Sequence, residues 1–312
     1  GNMNKICVLG SINMDLVIKV KEMPKEGETI LSKSFEKIAG GKGANQGVAA
    51  KRCGNIVSMI GKIGKDDNGA ILKGLLDKEG INTELIFVDE KEPTGMAMIT
   101  VNERGNNSIT VISGSNMTLT KEEIKKSEDV IKESDIIISQ FETPEEVTIE
   151  AFKFAKENNK VTILNPAPAK EISDELLKYT DIIIPNETEA ELLTGIEVNS
   201  LEDAKKAASK FFDKGVKFVI ITLGHKGAAV ISKEDSGIVN AYKVNAIDTT
   251  AAGDSFIGGL SSKLDVNNLN FENIMKAVKF GNKVSSITVQ RKGAQPSIAT
   301  LEEVIEIYGE EE

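Results

Sequence analysis

The chain has 312 residues, of which 40% are hydrophobic and 28% charged, as in ordinary globular proteins. Its formal net charge of −10 and its pI of about 5.0 argue against a nucleic acid or an anionic membrane as a partner. Only two cysteines occur, Cys7 and Cys53, so we expect no disulfide framework and a reducing, cytoplasmic environment. We also expect neither a membrane span nor a secretory leader, because no apolar run has the required length.

Short apolar runs of strand length alternate with amphipathic, helix-forming stretches along most of the chain. These runs lie at residues 6–9, 56–60, 135–138, 161–164, 181–184 and 218–221. Because their hydrophobicity is continuous rather than alternating, we expect strands that are buried on both faces. The sequence therefore predicts an α/β fold whose mostly parallel central sheet is covered by helices on both faces.

Two regions, at about residues 12–38 and 94–112, instead alternate polar and apolar positions. Within the second region, the residues Arg104-Gly105-Asn106-Asn107 are typical of a hairpin turn. Half-exposed strands of this kind suit a small sheet outside the main core. We therefore expect one domain over residues 3–312, with a β-sheet lid that buries its apolar side in a homodimer.

The most informative segment is DTTAAGDSF at residues 248–256, in which small residues precede Asp254 and an apolar, helix-compatible run follows it. A helix that starts here leaves backbone N–H groups free to bind an anion, with room for its approach. Asp254 then has a reason to be present as a general base beside a phosphoryl group in transfer. The alternative, which the segment alone leaves open, is that Asp254 caps an ordinary helix.

Polar residues also follow several of the predicted strands. In an open parallel sheet, ligands bind beyond the carboxyl ends of the strands, where these side chains would gather. One such residue would be an ordinary loop residue, but their recurrence is not explained by packing. They are Asn13, Asp15, Glu142, Asn165, Asn186 and Thr222.

The glycine-rich segment GGKGANQ at residues 40–46 is not a nucleotide loop. Gln46 stands where a dinucleotide fingerprint needs its third glycine, and the chain has no Walker A sequence. Lys42 and Asn45 supply hydrogen-bond donors, which together with Asn13 and Asp15 would form a pocket suited to sugar hydroxyls. For the glycines alone, a flexible turn is the alternative.

Two further segments have both a local and a functional interpretation. Asn186 and Glu189 lie where a helix begins, so they either cap that helix or lie near Mg²⁺ and bind it through water. The glycine-bracketed segment at residues 222–227 joins two predicted strands and is suited to a nucleotide. It contains His225, the only histidine, which excludes a multi-histidine metal site or a Ser-His-Asp triad and which we expect to be exposed.

From about residue 5 to residue 297, these segments together resemble the ribokinase branch of the phosphofructokinase-B (PfkB) family of carbohydrate kinases. Alanine at position 251, where the wider family usually has glycine, favours this branch over adenosine kinases and fructokinases. The motifs that carry the resemblance are GGKGANQ at 40–46, NPAPA at 165–169, PNETEAE at 185–191, ITLG at 221–224, DTTAAGD at 248–254 and RKGAQPS at 291–297.

The resemblance implies an ATP-dependent kinase that converts D-ribose to D-ribose 5-phosphate, with Asp254 as the base. The anion hole would be formed by the backbone N–H groups of Ala251, Ala252 and Gly253. Ribose would lie among Asn13, Met14, Asp15, Gly41, Lys42, Gly43, Ala44, Asn45 and Glu142. ATP would contact Asn186, Thr222, Leu223, Gly224, His225, Lys226, Gly227, Gly253 and Asn282.

The resemblance also implies Mg²⁺ with ATP, near Glu189 through water, and K⁺ as an activating monovalent cation. The monovalent cation would bind through Asp248, Thr250, Thr288, Arg291, Gly293 and Ser297. Two positions depart from the family: Asn282 stands where these kinases often have histidine, and His225 occupies a position usually held by a small or varied residue.

Two alternatives remain at this stage: a kinase for another furanose or a nucleoside, and a non-catalytic sugar-binding regulator. With three tyrosines and no tryptophan, a nucleobase slot would have to be built from phenylalanine, and no cluster is placed for it. The intact Asp254 and its anion-hole segment weigh against a regulator.

Overall fold

The computed structural model describes residues 3–310, which form two β-sheets and eleven α-helices within that range. The strands are β1 (Lys5–Leu9), β2 (Asn13–Lys19), β3 (Ser34–Gly40), β4 (Ile56–Gly64), β5 (Asn82–Asp89), β6 (Gly95–Val101), β7 (Asn107–Ile112), β8 (Ile136–Ser139), β9 (Val161–Leu164), β10 (Ile182–Ile183), β11 (Phe218–Thr222), β12 (Ala228–Ile231) and β13 (Ser236–Val239). The helices are α1 (Lys42–Arg52), α2 (Asp67–Lys78), α3 (Lys121–Lys125), α4 (Glu128–Glu133), α5 (Glu145–Glu157), α6 (Asp174–Lys178), α7 (Glu187–Thr194), α8 (Leu201–Phe212), α9 (Ala252–Lys263), α10 (Phe271–Thr288) and α11 (Leu301–Tyr308).

The main sheet has nine strands in the order β13-β12-β11-β10-β9-β8-β1-β4-β5. In this order, the strands from β11 to β5 pair parallel with one another. At the other edge, β12 pairs antiparallel with both β11 and β13. The prediction of a mostly parallel sheet is therefore confirmed. Because parallel strands end at the same edge, the loops after β1, β8, β9, β10 and β11 are neighbours in space.

Each face of this sheet packs against its own helical layer. Within β8, Ile136 and Ile138 belong to one buried cluster, whereas Ile137 belongs to the other. The first cluster includes Phe256 of α9 and the second includes Phe152 of α5. Strands with both faces covered need apolar residues at consecutive positions, which accounts for the unbroken hydrophobic runs in the sequence.

The smaller sheet has the strand order β3-β2-β6-β7 and is the predicted lid. Its strands agree with the expected insertions, except that β3 continues to Gly40 rather than ending at residue 38. The predicted hairpin turn joins β6 to β7, with Gly105 in the left-handed region at φ 84°. Every residue of β7 is exposed, so this sheet is packed far less than the main one.

Both cysteines lie buried as free thiols within this fold, and burial raises the pKa of Cys7 and of Cys53 to about 12. Neither is therefore a thiolate at neutral pH. Among residues 3–310, no helix combines the length and the hydrophobicity needed to cross a membrane. The division of residues 3–312 into one domain with two insertions stays a prediction.

Candidate active site

The start of α9 is an uncapped helix N-terminus that faces open space. Ala251 occupies the N-cap position and provides no side-chain hydrogen bond. The N–H of Ala252, expected in the anion hole, instead donates to the carbonyl of Thr249 at 3.1 Å. Beside Gly253, no atom lies within 4 Å of where a β-carbon would be. Backbone N–H groups and the helix dipole thus meet a space that an anion can enter. Asp254 is the third helical residue, so the alternative that it caps the helix is wrong.

Asp254 is buried, and each of its carboxylate oxygens accepts a hydrogen bond from a side-chain amide of α1. Asn45 Nδ2 donates to Oδ2 at 3.0 Å and Gln46 Nε2 donates to Oδ1 at 3.2 Å. Burial raises the pKa of Asp254, while the Lys42 ammonium and the two amides oppose that rise and Glu142 adds to it. A buried carboxylate with a raised pKa is suited to accept a proton near neutral pH.

The Glu142 carboxylate ties three segments together beside Asp254. Its Oε1 accepts from Ser11 Oγ at 2.6 Å and from the N–H of Lys42 at 3.1 Å. Ser11 Oγ in turn accepts from the N–H of Gly43 at 3.3 Å. Ser11 was not predicted as a site residue, although it lies in the turn that follows β1, the same signal that identified Asn13.

Asn13 is held by a second asparagine that the sequence analysis also missed. Asn116 Nδ2 donates to Asn13 Oδ1 at 2.6 Å, and Asn116 Oδ1 accepts from the N–H of Ile12 at 3.0 Å. Because its oxygen is engaged, Asn13 has its amide nitrogen available to donate to a ligand. Gly95 leaves room for this pair, since a β-carbon there would lie 2.2 Å from Asn116 Nδ2.

Asp15 and Lys42 are the remaining charged members of the expected sugar pocket. Burial, together with Glu142 and Asp254, raises the pKa of Asp15 to about 7. Burial alone would lower the pKa of Lys42, but Asp254, Glu142 and Glu189 outweigh it and raise the pKa. One ammonium therefore serves several carboxylates, and such a cluster attracts hydroxyl donors and cations.

Not every expected sugar contact points toward this pocket. The side chains of Met14 and Ala44 belong to the buried core, so only their backbone could reach a ligand. Gly41 has φ 93°, and a β-carbon on it would lie 2.8 Å from the backbone nitrogen of Asn13. A β-carbon on Gly43 would lie 2.5 Å from Gly10. These glycines thus let α1 start against the turn after β1.

A cavity of about 180 Å³ next to Asp254 contains some of the expected nucleotide and metal residues. Asn186 Oδ1 accepts from the N–H of Glu189 at 2.7 Å, and Glu189 Oε1 accepts from the N–H of Asn186 at 2.9 Å. The two residues therefore do cap α7, as the local interpretation held, and they also border the cavity. The cavity is lined by Lys42, Asn165, Ala167, Ile184, Asn186, Glu189, Thr222, Thr250, Gly253, Asp254 and Ile257.

The other residues expected to contact ATP do not line this cavity. Gly224, His225 and Lys226 form an exposed turn between β11 and β12, so the expectation of an exposed histidine is confirmed. Leu223 packs against the core, and Gly227 has φ 104° with a β-carbon position 2.0 Å from the carbonyl of Val239. The Leu223 side chain and the β-carbon position of Gly227 both face the rest of the protein. These two residues therefore fix the position of the turn.

Asn282, expected near adenine, is buried and lies beside the segment that follows β13. Its Nδ2 donates to the carbonyls of Val239 and Asn240, both at 3.2 Å. The amide nitrogen thus holds this segment in place. Adenine contact by Asn282 stays a prediction, and the nitrogen contributes only if these bonds are given up.

Of the residues expected to bind a monovalent cation, three lie together. Asp248 Oδ1 accepts from the N–H and the hydroxyl of Thr250 at 2.9 and 2.5 Å, and Asp248 Oδ2 accepts from the N–H of Gly293 at 2.9 Å. Burial opposes ionisation of Asp248, but these bonds and the nearby Lys292 lower its pKa. An ionised carboxylate therefore joins the loop before α9 to the loop after α10.

The other three residues of this set direct their side chains elsewhere. The Thr288 hydroxyl donates to Val284 O at 3.1 Å, the Ser297 hydroxyl donates to Ala294 O at 2.7 Å, and Arg291 pairs with Glu303. Their backbone carbonyls are what remains for a cation. Throughout residues 3–310, no group of three or more His, Cys, Asp or Glu side chains is arranged to hold a metal.

Comparison with known proteins identifies the family. The chain matches the model of the pfkB family of carbohydrate kinases over residues 3–301. The chain belongs to this family. It is a carbohydrate kinase, with the fold, the buried aspartate and the helix N-terminus described above.

Individual relatives agree over nearly the whole chain. The ribokinase of Staphylococcus aureus is 45% identical over 305 residues, covering 97% of this chain and 99% of that protein. The deoxyribokinase of Salmonella typhimurium is 38% identical over 303 residues, covering 96% of each. The structure of Arabidopsis thaliana ribokinase complexed with ribose and ATP is similar with a TM-score of 0.92 at 30% identity, covering 98% of this chain and 99% of that one.

Proposed function

We propose that this kinase transfers the terminal phosphoryl group of ATP to the 5-hydroxyl of D-ribose, giving D-ribose 5-phosphate and ADP. The observation that carries the proposal is the buried Asp254 at the uncapped start of α9, beside the open space at Gly253. The 45% identity to a ribokinase over nearly the full length supports ribose as the sugar.

In this proposal, Asp254 accepts the proton of the hydroxyl as its oxygen attacks the phosphorus. The bond between that phosphorus and the bridging oxygen of ADP breaks, and ADP leaves with the electron pair. N–H groups at the start of α9 stabilise the charge that develops on the transferring phosphoryl oxygens. Lys42, close to Asp254 in the same cavity, adds a positive charge to this region.

The sugar is assigned to the polar residues at the root of the lid. Asn13 offers its amide nitrogen, whereas Asp15 and Glu142 offer carboxylate oxygens, so a polyol would find both donors and acceptors. ATP is assigned to the side of the cavity that Asn186 and Thr222 line, continuing to the exposed turn at residues 224–226.

Mg²⁺ is the cation that we assign to the bound ATP, because this cavity offers oxygen donors. Glu189 borders this cavity, and its Oε1 accepts a hydrogen bond within the cap of α7. Burial raises the pKa of Glu189, although Asn186 and Lys42 oppose that rise. A nearby cation would relieve this buried charge. Glu189 would hold Mg²⁺ through water, and the ion would neutralise phosphate charge.

We assign K⁺ to the junction of the two loops that Asp248 connects. One ionised carboxylate and the backbone carbonyls of residues 288–297 suit a weakly hydrated monovalent cation. The cation would not touch substrate. It would instead hold the turn that leads into α9 in its productive shape.

The lid presents an apolar surface on the same side as Asp15, which supports a homodimer through the lids. Val17, Ile99 and Ile109 stand side by side across three strands, and Val111 continues this surface next to Ala97, which pairs with Asp15. Ile109 and Val111 are more than half exposed, at 55% and 54%. A second lid is the partner that would cover these two side chains.

We place the enzyme in the cytoplasm, in keeping with its two free thiols.

Phosphorylation of 2-deoxyribose is the main alternative, because a deoxyribokinase is 38% identical to this chain. A pocket that hydrogen-bonds a hydroxyl rejects an analogue without it, since buried polar groups are then left unpaired. The amide and carboxylate groups of Asn13, Asp15 and Glu142 favour the more hydroxylated sugar. A non-catalytic sugar-binding regulator is the other alternative.

A coupled assay of ADP production with a panel of sugars and nucleosides separates these possibilities. We expect D-ribose to give the highest kcat/KM, with 2-deoxyribose clearly poorer. Equal efficiency for the two sugars would contradict the assigned pocket. ADP production that no sugar or nucleoside stimulates, with ribose bound, would indicate the regulator.

A further inference from the structure

A chain of buried amides connects Asp254 to the end of β8, and the proposed mechanism makes no use of it. Gln46 lies on α1 beside Asn45, and Gln140 is the residue directly after β8. Both side chains are fully buried. Gln140 Nε2 donates to Gln46 Oε1 at 2.7 Å, and Gln46 Nε2 donates to Asp254 Oδ1 at 3.2 Å.

The orientation of the Gln46 amide is dictated by acceptors on one side. Its nitrogen also donates to Asn165 Oδ1 at 3.1 Å, and Asn165 is itself oriented because its Nδ2 donates to Ile184 O at 3.1 Å. The Gln46 nitrogen thus lies between two oxygens that accept. If the amide were turned over, its oxygen would face the Asn165 oxygen and an ionised Asp254.

This orientation of the Gln46 amide determines which atoms of Gln140 can form a hydrogen bond. Because Gln46 presents its oxygen, Gln140 must present its nitrogen, and Gln140 Oε1 is left buried without a hydrogen-bond partner. The space around it is tight, since a β-carbon on Gly10 would lie 2.0 Å from this oxygen. An unpaired buried carbonyl is destabilising, so this arrangement is hard to explain as a device for stability alone.

In this series of buried amides, the donated hydrogen bonds therefore run in one direction. Gln140 donates to Gln46, and Gln46 donates to Asp254. The two side-chain groups that contact the Asp254 oxygens, from Gln46 and Asn45, are both donors. A protonated Asp254 would direct its O–H at one of these donors, whereas an ionised Asp254 accepts from both. We propose that Gln46, supported by Gln140, is a positioning residue that keeps Asp254 oriented and ionised until it takes the sugar proton.

Other charges also act on Asp254, and they set the background for a test. Lys42 at the start of α1 favours the ionised form, whereas Glu142 after β8, Asp15 on β2 and Glu189 on α7 oppose it. Carboxylates outnumber the ammonium, so the neutral amide donors matter for keeping the base charged. None of these charged residues is altered in the variants chosen below.

The inference rests on the proposed function, and two readouts keep them separable. The first is the pH profile of kcat at saturating ribose and ATP, which leaves out the effect of Asp15 on KM for ribose. The second is direct titration of the Asp254 carboxyl carbon by ¹³C NMR in the sugar-free protein, assigned by its loss in Asp254→Asn. The titration needs no turnover, so it tests the amide chain even if ribose is not the substrate.

In Gln46→Met, which keeps the side-chain size but has no donor, we expect both midpoints to move to higher pH by about one unit. Activity should then fall about tenfold on the acid limb and recover at higher pH, with KM for ATP little changed. Gln140→Leu should shift both midpoints in the same direction by less. Its Tm should change little, because the substitution removes the unpaired Gln140 oxygen but leaves Gln46 Oε1 without its donor.

Thr148→Val is the matched control, because it removes a different buried hydrogen bond, the one between Ser139 Oγ and Thr148 Oγ1 at 3.2 Å. We expect it to lower Tm without moving either midpoint. Unchanged NMR midpoints in Gln46→Met and Gln140→Leu, or activity losses that are equal at every pH, would overturn the inference. If Gln46→Met fails to fold, the Gln140→Leu midpoint decides. A wild type that phosphorylates no sugar would refute the proposed function and leave the NMR result valid.

Discussion

At the scale of single residues, the site contains two aspartates with different environments and different expected roles. Asp254 receives an amide donor on each carboxylate oxygen and lies beside the start of α9. Asp15 lies on the lid, and burial with two nearby carboxylates raises its pKa to about 7. In the proposed mechanism, the first accepts a proton in the reaction, and the second accepts hydrogen bonds from the sugar.

Replacing Asp254 with asparagine should remove the base while preserving the fold. Asparagine is nearly the same size, so we expect an unchanged Tm within a few degrees and retained ATP binding. The kcat should fall by about 10²–10⁴, the usual effect of losing a general base. Steady-state kinetics with calorimetric ATP titration checks this, and near-full turnover would contradict the assignment.

The raised pKa of Asp15 predicts that sugar binding depends on pH around neutrality. As pH falls through about 7, Asp15 takes up a proton and loses its capacity to accept two hydrogen bonds, so KM for ribose should rise. In Asp15→Asn, KM should be higher and should no longer change over this range. A wild-type KM that is constant across neutral pH would show that Asp15 does not titrate there.

The same group has a consequence for stability. Because the pKa of folded Asp15 lies above the ordinary aspartate value of 3.8, its contribution to the free energy of unfolding decreases as pH rises from about 4 to 7. Asp15→Asn has no carboxylate to ionise and therefore keeps this part of the free energy of unfolding at high pH. Its Tm should exceed that of the wild type at pH above 7 by about 2 °C or more. Thermal unfolding at acid and alkaline pH measures the difference.

At the scale of elements, the start of α9 depends on loops from two distant parts of the chain. Asp248 connects them through Thr250 and Gly293, which are 43 residues apart along the sequence. In the proposed mechanism, a displaced loop would move the N–H groups of Gly253 and Asp254 away from the phosphoryl group, because those groups belong to the first turn of α9. Turnover should therefore respond to anything that loosens this junction.

Exchange of K⁺ for tetramethylammonium at fixed ionic strength should lower turnover of the wild-type enzyme. Asp248→Ala should be slow in both salts, because the junction is then lost whatever cation is present. Lys292→Ala, a neighbouring charge that makes no hydrogen bond to Asp248, is the comparison and should remain responsive to K⁺. Equal wild-type activity in the two salts would refute the cation site.

The lid is a small sheet outside the main core, and the hydrogen exchange of its backbone amides should change when sugar binds. Strand β7 is exposed along its length, and its hydrogen bonds to β6 lie open to solvent. Hydrogen–deuterium exchange over residues 96–111 should slow when ribose binds, because closure protects weakly packed strands. Strand β9 in the central sheet is the internal control, and unchanged lid exchange with ribose bound would argue against closure.

At the scale of the whole molecule, the exposed apolar side of the lid predicts a dimer. Ile109→Glu places a charge in the row that contains Val17 and Ile99, so it should convert the dimer to a monomer and raise KM for ribose. Ile238→Glu, on an exposed position of β13 away from the lid, should leave the mass unchanged. Analytical ultracentrifugation measures both variants, and a monomeric wild type would remove the basis for this prediction.

Much of this architecture was predictable from local sequence. Continuous apolar runs identify strands covered on both faces, and β9 spans the same residues as its run at 161–164. Alternation identified the lid, and the segment from residue 248 to Asp254 identified the helix start. Local patterns succeed here because burial on one or both faces of a strand leaves a period in the chain itself.

What only the tertiary structure decided is which polar groups meet. Gln46 and Asp254 are separated by 208 residues, and Asn13 and Asn116 by 103, so no spacing in the chain reveals either contact. The family resemblance implied Asn282 near adenine and Met14 near the sugar, whereas packing directs the Asn282 amide nitrogen to backbone carbonyls and the Met14 side chain to the core. A hydrogen bond requires two groups at about 3 Å with the right orientation, and that is fixed only when strands and helices from distant segments pack together.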